Sequence, residues 1–215
     1  MSRTLKYRKK YEEFANCITH FIGLIGAITF SAILISQSSI LGNGWHIFSY
    51  SIFGGGMILT YLASTIFHKE KNLRKKVYLN RFDHSSIYIL IAATYTPVTL
   101  VSIRGNIGWL IFILIWGMAL AGIVFKIWFY SVKMRKLSMW IYIAMGWLII
   151  IAIVPLIKNM SYSSLWFLLA GNLSYFFGTY FYVKKNIPFS HSIFHLFILA
   201  GSICHFYAIY YILIS

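Results

Sequence analysis

His191-Ser192-Ile193-Phe194-His195 opens the last apolar segment of the chain, which runs to residue 214. On a helix, this four-residue spacing places both imidazoles on one face, about one turn apart. The rest of the segment is mostly apolar, and ionisable groups in such surroundings are costly unless they find partners. The pair therefore predicts a helix that carries a functional site, and it directs attention to other polar residues with the same spacing.

The composition indicates a membrane protein. Hydrophobic residues make up 60% of the 215 residues and charged residues only 11%, and the mean hydropathy is +0.74. A soluble domain could not cover its surface with such a composition. The two cysteines, Cys17 and Cys204, lie in apolar segments at different predicted depths, so no disulfide between them is expected. The apolar run after the basic N-terminus is long and lacks a convincing cleavage site, so it is interpreted as a retained first span.

Seven apolar segments have lengths close to the ~20 residues that a helix needs to cross hydrocarbon. The sequence therefore predicts an all-α membrane protein, a seven-transmembrane helix bundle that forms one integral membrane domain over residues 1–215. Residues 1–13 are predicted to form a basic cytoplasmic arm. The predicted spans lie near 17–37, 45–67, 82–101, 107–130, 140–157, 165–183 and 191–214.

The positions of the basic residues explain the net charge of +15. Short loops make neighbouring spans antiparallel, so each lysine and arginine can be assigned to one membrane face. Seventeen of the 19 fall on the N-terminal face, and only Arg104 and Lys158 fall on the other. Cytoplasmic loops carry such an excess, which places the N-terminus in the cytoplasm and the C-terminus outside. The charge thus indicates topology and contacts with membrane lipids, and no nucleic-acid partner is expected.

The candidate site residues crowd toward this same face. His68 ends the second span there, Asp83 begins the third, and His191 and His195 begin the seventh. Ser64 precedes His68 by four residues and shares its helical face. Three neutral imidazoles with a fourth position left open are typical of a catalytic zinc site, whose metal lowers the pKa of its water to about 7. The pattern predicts Zn²⁺ bound near these histidines, with Asp83 and Ser64 holding and polarising the water.

Structural interpretations stand beside this one, because a histidine in a span often only hydrogen-bonds a neighbouring helix. His84 adjoins Asp83 but is expected to face elsewhere on its helix. His205 lies on nearly the same face as His191, but its depth, roughly 20 Å further across the membrane, excludes it from direct metal ligation. A structural role is expected for it.

Four motifs together resemble the hemolysin III family, the bacterial branch of the progestin and adipoQ receptor superfamily. They are Glu13-x2-Asn16-x2-Thr19-His20, Ser64-x3-His68, Asp83 at the start of a span, and His191-x3-His195, and they occur in family order over about residues 11–210. The resemblance implies a seven-span fold in a bacterial plasma membrane, with zinc near the cytoplasmic face on the positions of His68, His191 and His195. It implies a supporting role for the first motif.

Three functions remain open at this level. The first is a zinc-dependent hydrolase of an amide- or ester-linked lipid, which the open-site chemistry and the ceramidase-like relatives of the family favour. The second is a non-enzymatic protein that permeabilises membranes or maintains their state, and the third is a receptor or sensor in which zinc is structural. The sequence leaves the substrate and the oligomeric state open.

Overall fold

The computed structural model describes residues 3–129, 134–184 and 186–215. These ranges are almost entirely helical and contain no β-strand, which confirms the all-α prediction. The α-helices are α1 (Arg3–Leu41), α2 (Gly44–Lys69), α3 (Leu73–Pro97), α4 (Asn106–Val124), α5 (Arg135–Trp147), α6 (Ile153–Asn159), α7 (Tyr162–Val183) and α8 (Ser190–Ile214).

Six stretches of the described chain are long and apolar enough to cross a membrane, which confirms a helical protein with several spans. They are Lys9–Leu41, Gly44–Lys69, Leu73–Ser102, Asn106–Phe129, Lys136–Asn159 and Ser190–Ile214. The helix α7 is not among them. Its 22 residues would extend about 33 Å, but side chains such as Asn172 and Ser174 lower its hydropathy.

The segment predicted as a basic arm is part of the first helix. Helix α1 is continuous from Arg3 to Leu41, so residues 3–13 extend the first span as helix without a break. Residues 1 and 2 of the predicted arm lie outside the described ranges. Within this segment, Glu12 contacts the backbone before α8 and Glu13 contacts His68 of α2.

Three of the predicted spans change helix type within the bundle, and one of them is α4, which continues as the π-helical segment Phe125–Phe129. Beyond Pro97, which lacks a backbone N–H, the α3 crossing continues as a π-helical segment, Val98–Ser102. The span predicted at 140–157 consists of α5, the 3₁₀ segment Leu148–Ala152 and α6. At this change the Tyr95 hydroxyl of α3 donates to the Met145 carbonyl at 2.7 Å and accepts from the Ile149 N–H at 2.8 Å. A side chain therefore completes the backbone hydrogen bonding of a neighbouring helix.

The helices pack as antiparallel neighbours around two apolar cores. Helix α1 lies along α2, α2 along α3, and α7 along α8. One core joins α1, α2 and α8, and includes Leu34, Phe53 and Phe206. The other joins α3 to the later helices, and includes Ile115 and Met145. Since lipid tails are as apolar as these side chains, close packing must supply the cohesion between the helices.

Small residues allow α2 to approach both of its neighbours. A Cβ on Gly54 would collide with Ser31 of α1, and a Cβ on Gly56 would lie 2.6 Å from the Cβ of Ala93 on α3. Gly55 between them has open space around it. Two of the three consecutive glycines are therefore required by packing, one for each neighbouring helix.

Candidate metal centre

Three imidazoles converge at one end of the bundle, which we call the histidine end. His68 comes from the last turn of α2, and His191 and His195 come from the first turns of α8. One nitrogen from each ring lies within 4.8 Å of the others. His68 and His195 are buried and His191 is partly buried. Two helices far apart in sequence thus present three nitrogen ligands to one point.

Glu13 orients the ring of His68. Its carboxylate accepts a hydrogen bond from His68 Nδ1 at 3.0 Å. It also forms an ion pair with Lys76 Nζ at 2.8 Å. With Nδ1 engaged, the buried Nε2 of His68 has no hydrogen-bond partner among the described residues. A histidine that binds metal through one nitrogen usually donates its other N–H to a carboxylate in this manner. The unpaired Nε2 therefore fits a metal ligand.

Thr19 orients the ring of His195 in a similar way. The Thr19 hydroxyl donates to the Ala15 carbonyl at 2.9 Å, so its oxygen can accept from Nδ1 of His195, 3.2 Å away. This arrangement assigns the proton of His195 to Nδ1 and leaves Nε2 for a ligand. Both buried histidines of the cluster are thus held with the same nitrogen available.

Further contacts from α1 fix the start of α8. The Glu12 carboxylate accepts from the Phe189 N–H at 3.1 Å, and Asn16 Oδ1 accepts from the Ser192 hydroxyl at 2.6 Å. Phe189 precedes the helix in the left-handed region, with φ 56°. Together with Thr19, these residues form a stripe on α1 that follows the first two turns of α8. The polar positions of the first motif therefore position the metal-site helix.

Asp83 and Ser64 meet beside the histidines. Asp83 is buried on α3, which begins ten residues earlier at Leu73, and the Ser64 hydroxyl of α2 hydrogen-bonds its carboxylate. His84 Nδ1 lies 3.9 Å from Asp83 Oδ2. The prediction that His84 faces elsewhere is wrong, because His84 and Asp83 both lie on the wall of the same cavity. Glu70 differs from Asp83 in lying outside the bundle, where the N–H groups of Asn72 and Lys71 lower its pKa.

His20 lies next to the cluster without belonging to it. Its ring centroid is 3.8 Å from that of His195 and 5.4 Å from that of Tyr61. The side chain is buried, and Nδ1 has no hydrogen-bond partner in the described part of the chain. The three mutually close ligand nitrogens do not include one from His20.

A cavity of about 120 Å³ adjoins the histidines. The polar side chains at this part of its wall are His20, Ser64, Asp83, His84, His191 and His195. Away from them the wall is mostly apolar and aromatic and includes Ile91, Trp147 and Phe176. Helices α5 and α7 contact each other little, and Phe176 between them is 41% exposed. Phe176 thus lies both on the cavity wall and at the outer surface of the bundle.

A second polar group lies deeper, between α2, α7 and α8. The hydroxyls of Tyr61 and Tyr175 both reach Ser202 Oγ, at 2.7 and 3.0 Å. The His205 ring lies 5.2 Å from that of Tyr175 and fits where Gly171 leaves space. His205 is only 1% exposed and is not part of the cavity wall, so it packs between helices α7 and α8.

The donor set is chemically suited to a transition metal. Imidazole nitrogens are ligands for zinc, copper, iron and nickel, and three of them with an open position are typical of catalytic zinc. The same region carries the sequence match to known proteins. A family model described as "Haemolysin-III related" matches residues 8–206, which include every residue of the site. The chain belongs to the haemolysin-III related family.

Individual relatives of this haemolysin-III chain cover most of its length. The Hemolysin-3 homolog of Bacillus subtilis (strain 168) is 43% identical over 198 residues, 92% of each chain. Hemolysin-3 of Bacillus cereus is 41% identical over 99% of this chain and 96% of its own. The human Monocyte to macrophage differentiation factor is 30% identical over 93% of this chain and 84% of its own.

The structure brings the predicted site residues of the haemolysin-III chain together. His68, His191 and His195 form the cluster, with Asp83 and Ser64 on the wall of the adjoining cavity. The remaining predicted residues surround it from α1: Glu13, Asn16, Thr19 and His20. Their roles in binding and catalysis stay predictions.

Sequence reasoning missed two lysines near this site. Lys76 contacts Glu13, and only the tertiary fold brings these residues together. Lys126 is 1% exposed, whereas the charge pattern predicts it among the basic residues at the N-terminal membrane face. Its position inside the predicted span 107–130 was the available signal.

Proposed function

We propose that this protein is a zinc-dependent hydrolase of an amide- or ester-linked lipid. One observation carries the proposal: three converging imidazoles lie beside Asp83 and Ser64 on a cavity whose remaining wall is mostly apolar. Hydrolysis needs a polar centre that activates water, and a lipid substrate needs an apolar path to reach it. Both are present within one cavity.

His68, His191 and His195 would hold the metal. Bound zinc supplies a Lewis acid that polarises the carbonyl group and lowers the pKa of water. The two nitrogens freed by Glu13 and Thr19 support a metal site that is built before the ion arrives. The donors alone also suit other transition metals, and the open site with three nitrogen ligands favours zinc.

The residues of the chain would act on the water and on the leaving group. Asp83 accepts a proton from the attacking water, and Ser64 fixes the carboxylate that does so. A new C–O bond forms at the carbonyl carbon, and the C–N or C–O bond to the leaving group breaks. Asp83 then returns the proton to the departing nitrogen or oxygen. The apolar wall near Trp147 and Phe176 binds the acyl chain and excludes bulk water.

The proposal includes a seven-span topology in a bacterial plasma membrane, with α7 as the sixth crossing and the histidine end in the cytoplasm. Helix α7 supports this by packing along α8 over much of its length. The excess of lysine and arginine near the histidine end supports the orientation. A cysteine introduced at exposed Leu73 should react with an impermeant maleimide only in inverted vesicles, while one at exposed Ile107 should react from outside. The opposite pattern would reverse the orientation.

Release of fatty acid from purified protein tests the reaction. Zinc-loaded protein should hydrolyse a ceramide-like or acyl-amide lipid, and Asp83→Asn should abolish turnover while keeping its zinc. Glu70→Gln, a change in an exposed loop, serves as the matched acidic control and should retain turnover. Full zinc occupancy with no product across amide and ester lipids would contradict catalysis and favour structural zinc. Dye leakage from liposomes that survives removal of all three histidines would favour a permeabilising protein instead.

A further inference from the structure

Asn172 is a polar side chain in the wall of the cavity, away from the histidine end. It lies on α7 and is partly buried. The cavity-lining residues of α7 follow one another at helical spacing, so they share one face: Asn172, Tyr175, Phe176, Thr179 and Tyr182. A carboxamide is rare in a helix that crosses hydrocarbon, because a polar group without a partner is costly there. Asn172 therefore needs a hydrogen-bond partner.

Neighbouring hydroxyls on this face of α7 are occupied within the protein. The Tyr175 hydroxyl lies 3.0 Å from Ser202 Oγ, and the Thr179 hydroxyl donates to the Phe176 carbonyl at 2.6 Å. The carboxamide of Asn172 differs from both, since it forms no hydrogen bond within the described ranges of the chain. Its oxygen and its N–H groups are thus available to a molecule in the cavity.

The part of the wall that α5 contributes at this depth offers no polar partner. Phe176 follows Asn172 by one turn, and its ring lies 6.4 Å from that of Trp147. The Gly146 carbonyl beside Trp147 already accepts a hydrogen bond from the Tyr95 hydroxyl at 3.1 Å. An acyl chain fits against these aromatic side chains, but an unsubstituted chain would leave the carboxamide of Asn172 unpaired.

The depth of Asn172 determines the length of chain that would reach it. Tyr182 lies at the histidine end, where its ring is 6.2 Å from that of His191. Asn172 is ten residues earlier on the same helix, which places it about 15 Å deeper in the bundle. A zigzag hydrocarbon chain with bonds of about 1.5 Å spans this distance with roughly twelve carbons. A carbonyl group at the histidine end therefore brings the middle of a long acyl chain beside Asn172.

We propose that Asn172 is a specificity-determining residue that binds a hydroxyl group on the acyl chain of the substrate, roughly twelve carbons from the carbonyl group. Such a hydroxyl can donate to Oδ1 of Asn172 or accept from its Nδ2. A site built to hydrogen-bond a hydroxyl discriminates against the analogue that lacks it, because its own polar group is then left unpaired. The inference rests on the proposed function, which assigns the cavity to the acyl chain.

Competition between fatty acids tests the inference by binding alone. A fluorescent fatty acid is bound to the purified protein and displaced either by stearic acid or by its variant with a hydroxyl at about the twelfth carbon. The wild type should bind the hydroxylated acid about tenfold more tightly, because one hydrogen bond forms and no polar group is left unpaired. A variant acid with its hydroxyl at about the sixth carbon should bind no better than stearic acid, since it does not reach Asn172.

Removal of the carboxamide should abolish this preference. Asn172→Leu keeps the shape of the side chain without its hydrogen-bonding atoms, so it should bind both acids with nearly equal affinity. Asn106→Leu, at an exposed position outside the cavity wall, is the matched control and should keep the preference. Asn172→Ala replaces Asn172→Leu in the same comparison if the latter does not fold. Equal affinity of the wild type for both acids, or a preference that survives the loss of Asn172, would overturn the inference.

Hydrolysis separates this inference from the proposed function. The wild type should hydrolyse an acyl-amide lipid with the hydroxylated chain faster than one with the plain chain, and Asn172→Leu should not distinguish them. Turnover of both lipids without any preference would contradict the role of Asn172 and leave the hydrolase in place. Selective binding of the hydroxylated acid by a protein that hydrolyses neither lipid would instead contradict the hydrolase and leave the binding site in place.

Discussion

At the histidine end, α1 meets α2 and α8 through side-chain hydrogen bonds, whereas further along the bundle α1 packs against them through apolar side chains. Glu13 contacts His68, and Thr19 contacts His195. Deeper in the bundle, Leu34, Phe53 and Phe206 fill the space between these helices. Hydrogen bonds fix the direction of a side chain, whereas apolar packing fixes volume and distance.

The difference suggests that one region determines metal affinity and the other determines stability. The polar contacts aim nitrogen ligands at one point before a metal is present, and they should therefore determine metal affinity. The apolar region holds the helices at the spacing that these contacts need, and it should determine stability. Substitutions in one region should thus leave the property of the other nearly unchanged.

Removing two ligands should have the largest effect. The double variant His191→Ala, His195→Ala leaves one imidazole, so the affinity for zinc should fall by about a thousandfold or more. Metal analysis of purified protein and competition with a chelator measure the loss. His46→Ala, a histidine at the start of α2 near the opposite end, should keep the wild-type zinc content. Equal zinc in both variants would contradict the metal centre.

A clash in the packing of α4 against the α3 crossing, away from the histidine end, should likewise produce a loss of stability without loss of metal affinity. A Cβ on Gly108 would collide with the backbone carbonyls of Thr99 and Ile103, so Gly108→Ala should lower the free energy of unfolding by up to about 3 kcal/mol. Gly117 on the same helix has open space around it, which makes Gly117→Ala the matched control. Denaturation in detergent measures the difference. A large drop in zinc affinity of folded Gly108→Ala would remove the division between the regions.

Loss of the carboxylate behind His68 should weaken zinc binding without abolishing it. Glu13→Gln keeps the shape of the side chain but not its charge, and substitutions of such partners typically reduce metal affinity 10- to 100-fold. The affinity can be measured by zinc titration against a competing chelator. Glu70→Gln should have no effect, and a Glu13→Gln variant that binds zinc as tightly as the wild type would show that the carboxylate does not support the ligand.

The smallest effect is expected from Lys76→Met. The ion pair between Lys76 and Glu13 is partly exposed, with 23% and 45% of the two side chains accessible, so water and salt screen it. We expect zinc affinity to fall no more than about fivefold. The wild-type affinity should also decrease slightly as salt is raised. The exposed neighbour Lys75→Met is the control, and an identical change in both variants would attribute the effect to net charge alone.

Local periodicity was sufficient to predict part of this arrangement. The spacing of His191 and His195, and of Ser64 and His68, follows directly from helix geometry, and hydropathy indicates helices that cross a membrane. The contact between α2 and α8 depends on the tertiary fold, which helix periodicity does not predict. The span topology places His68 at the same membrane face as the other two histidines, and the resemblance to a known family implies that all three are ligands.

The missed residues show why the rest could not be predicted. Assigning lysines to a membrane face treats all of them as solvated, so this assignment could not predict that Lys126 is buried. An ideal helix places His84 about 100° away from Asp83, and only the side-chain conformation brings the two together. The change to 3₁₀ helix at Leu148–Ala152 depends on Tyr95 of another helix, which hydropathy does not report.

The contact of Tyr95 also bears on the order in which the protein assembles. In the α5–α6 crossing the backbone N–H of Ile149 donates to the Tyr95 hydroxyl, so it lacks this partner until α3 is in place. In lipid such groups have no water to satisfy them. Because synthesis proceeds from the N-terminus, α3 is already in the membrane when the α5–α6 crossing leaves the ribosome. Helix α3 must therefore be in place before the α5–α6 crossing can complete its backbone hydrogen bonding.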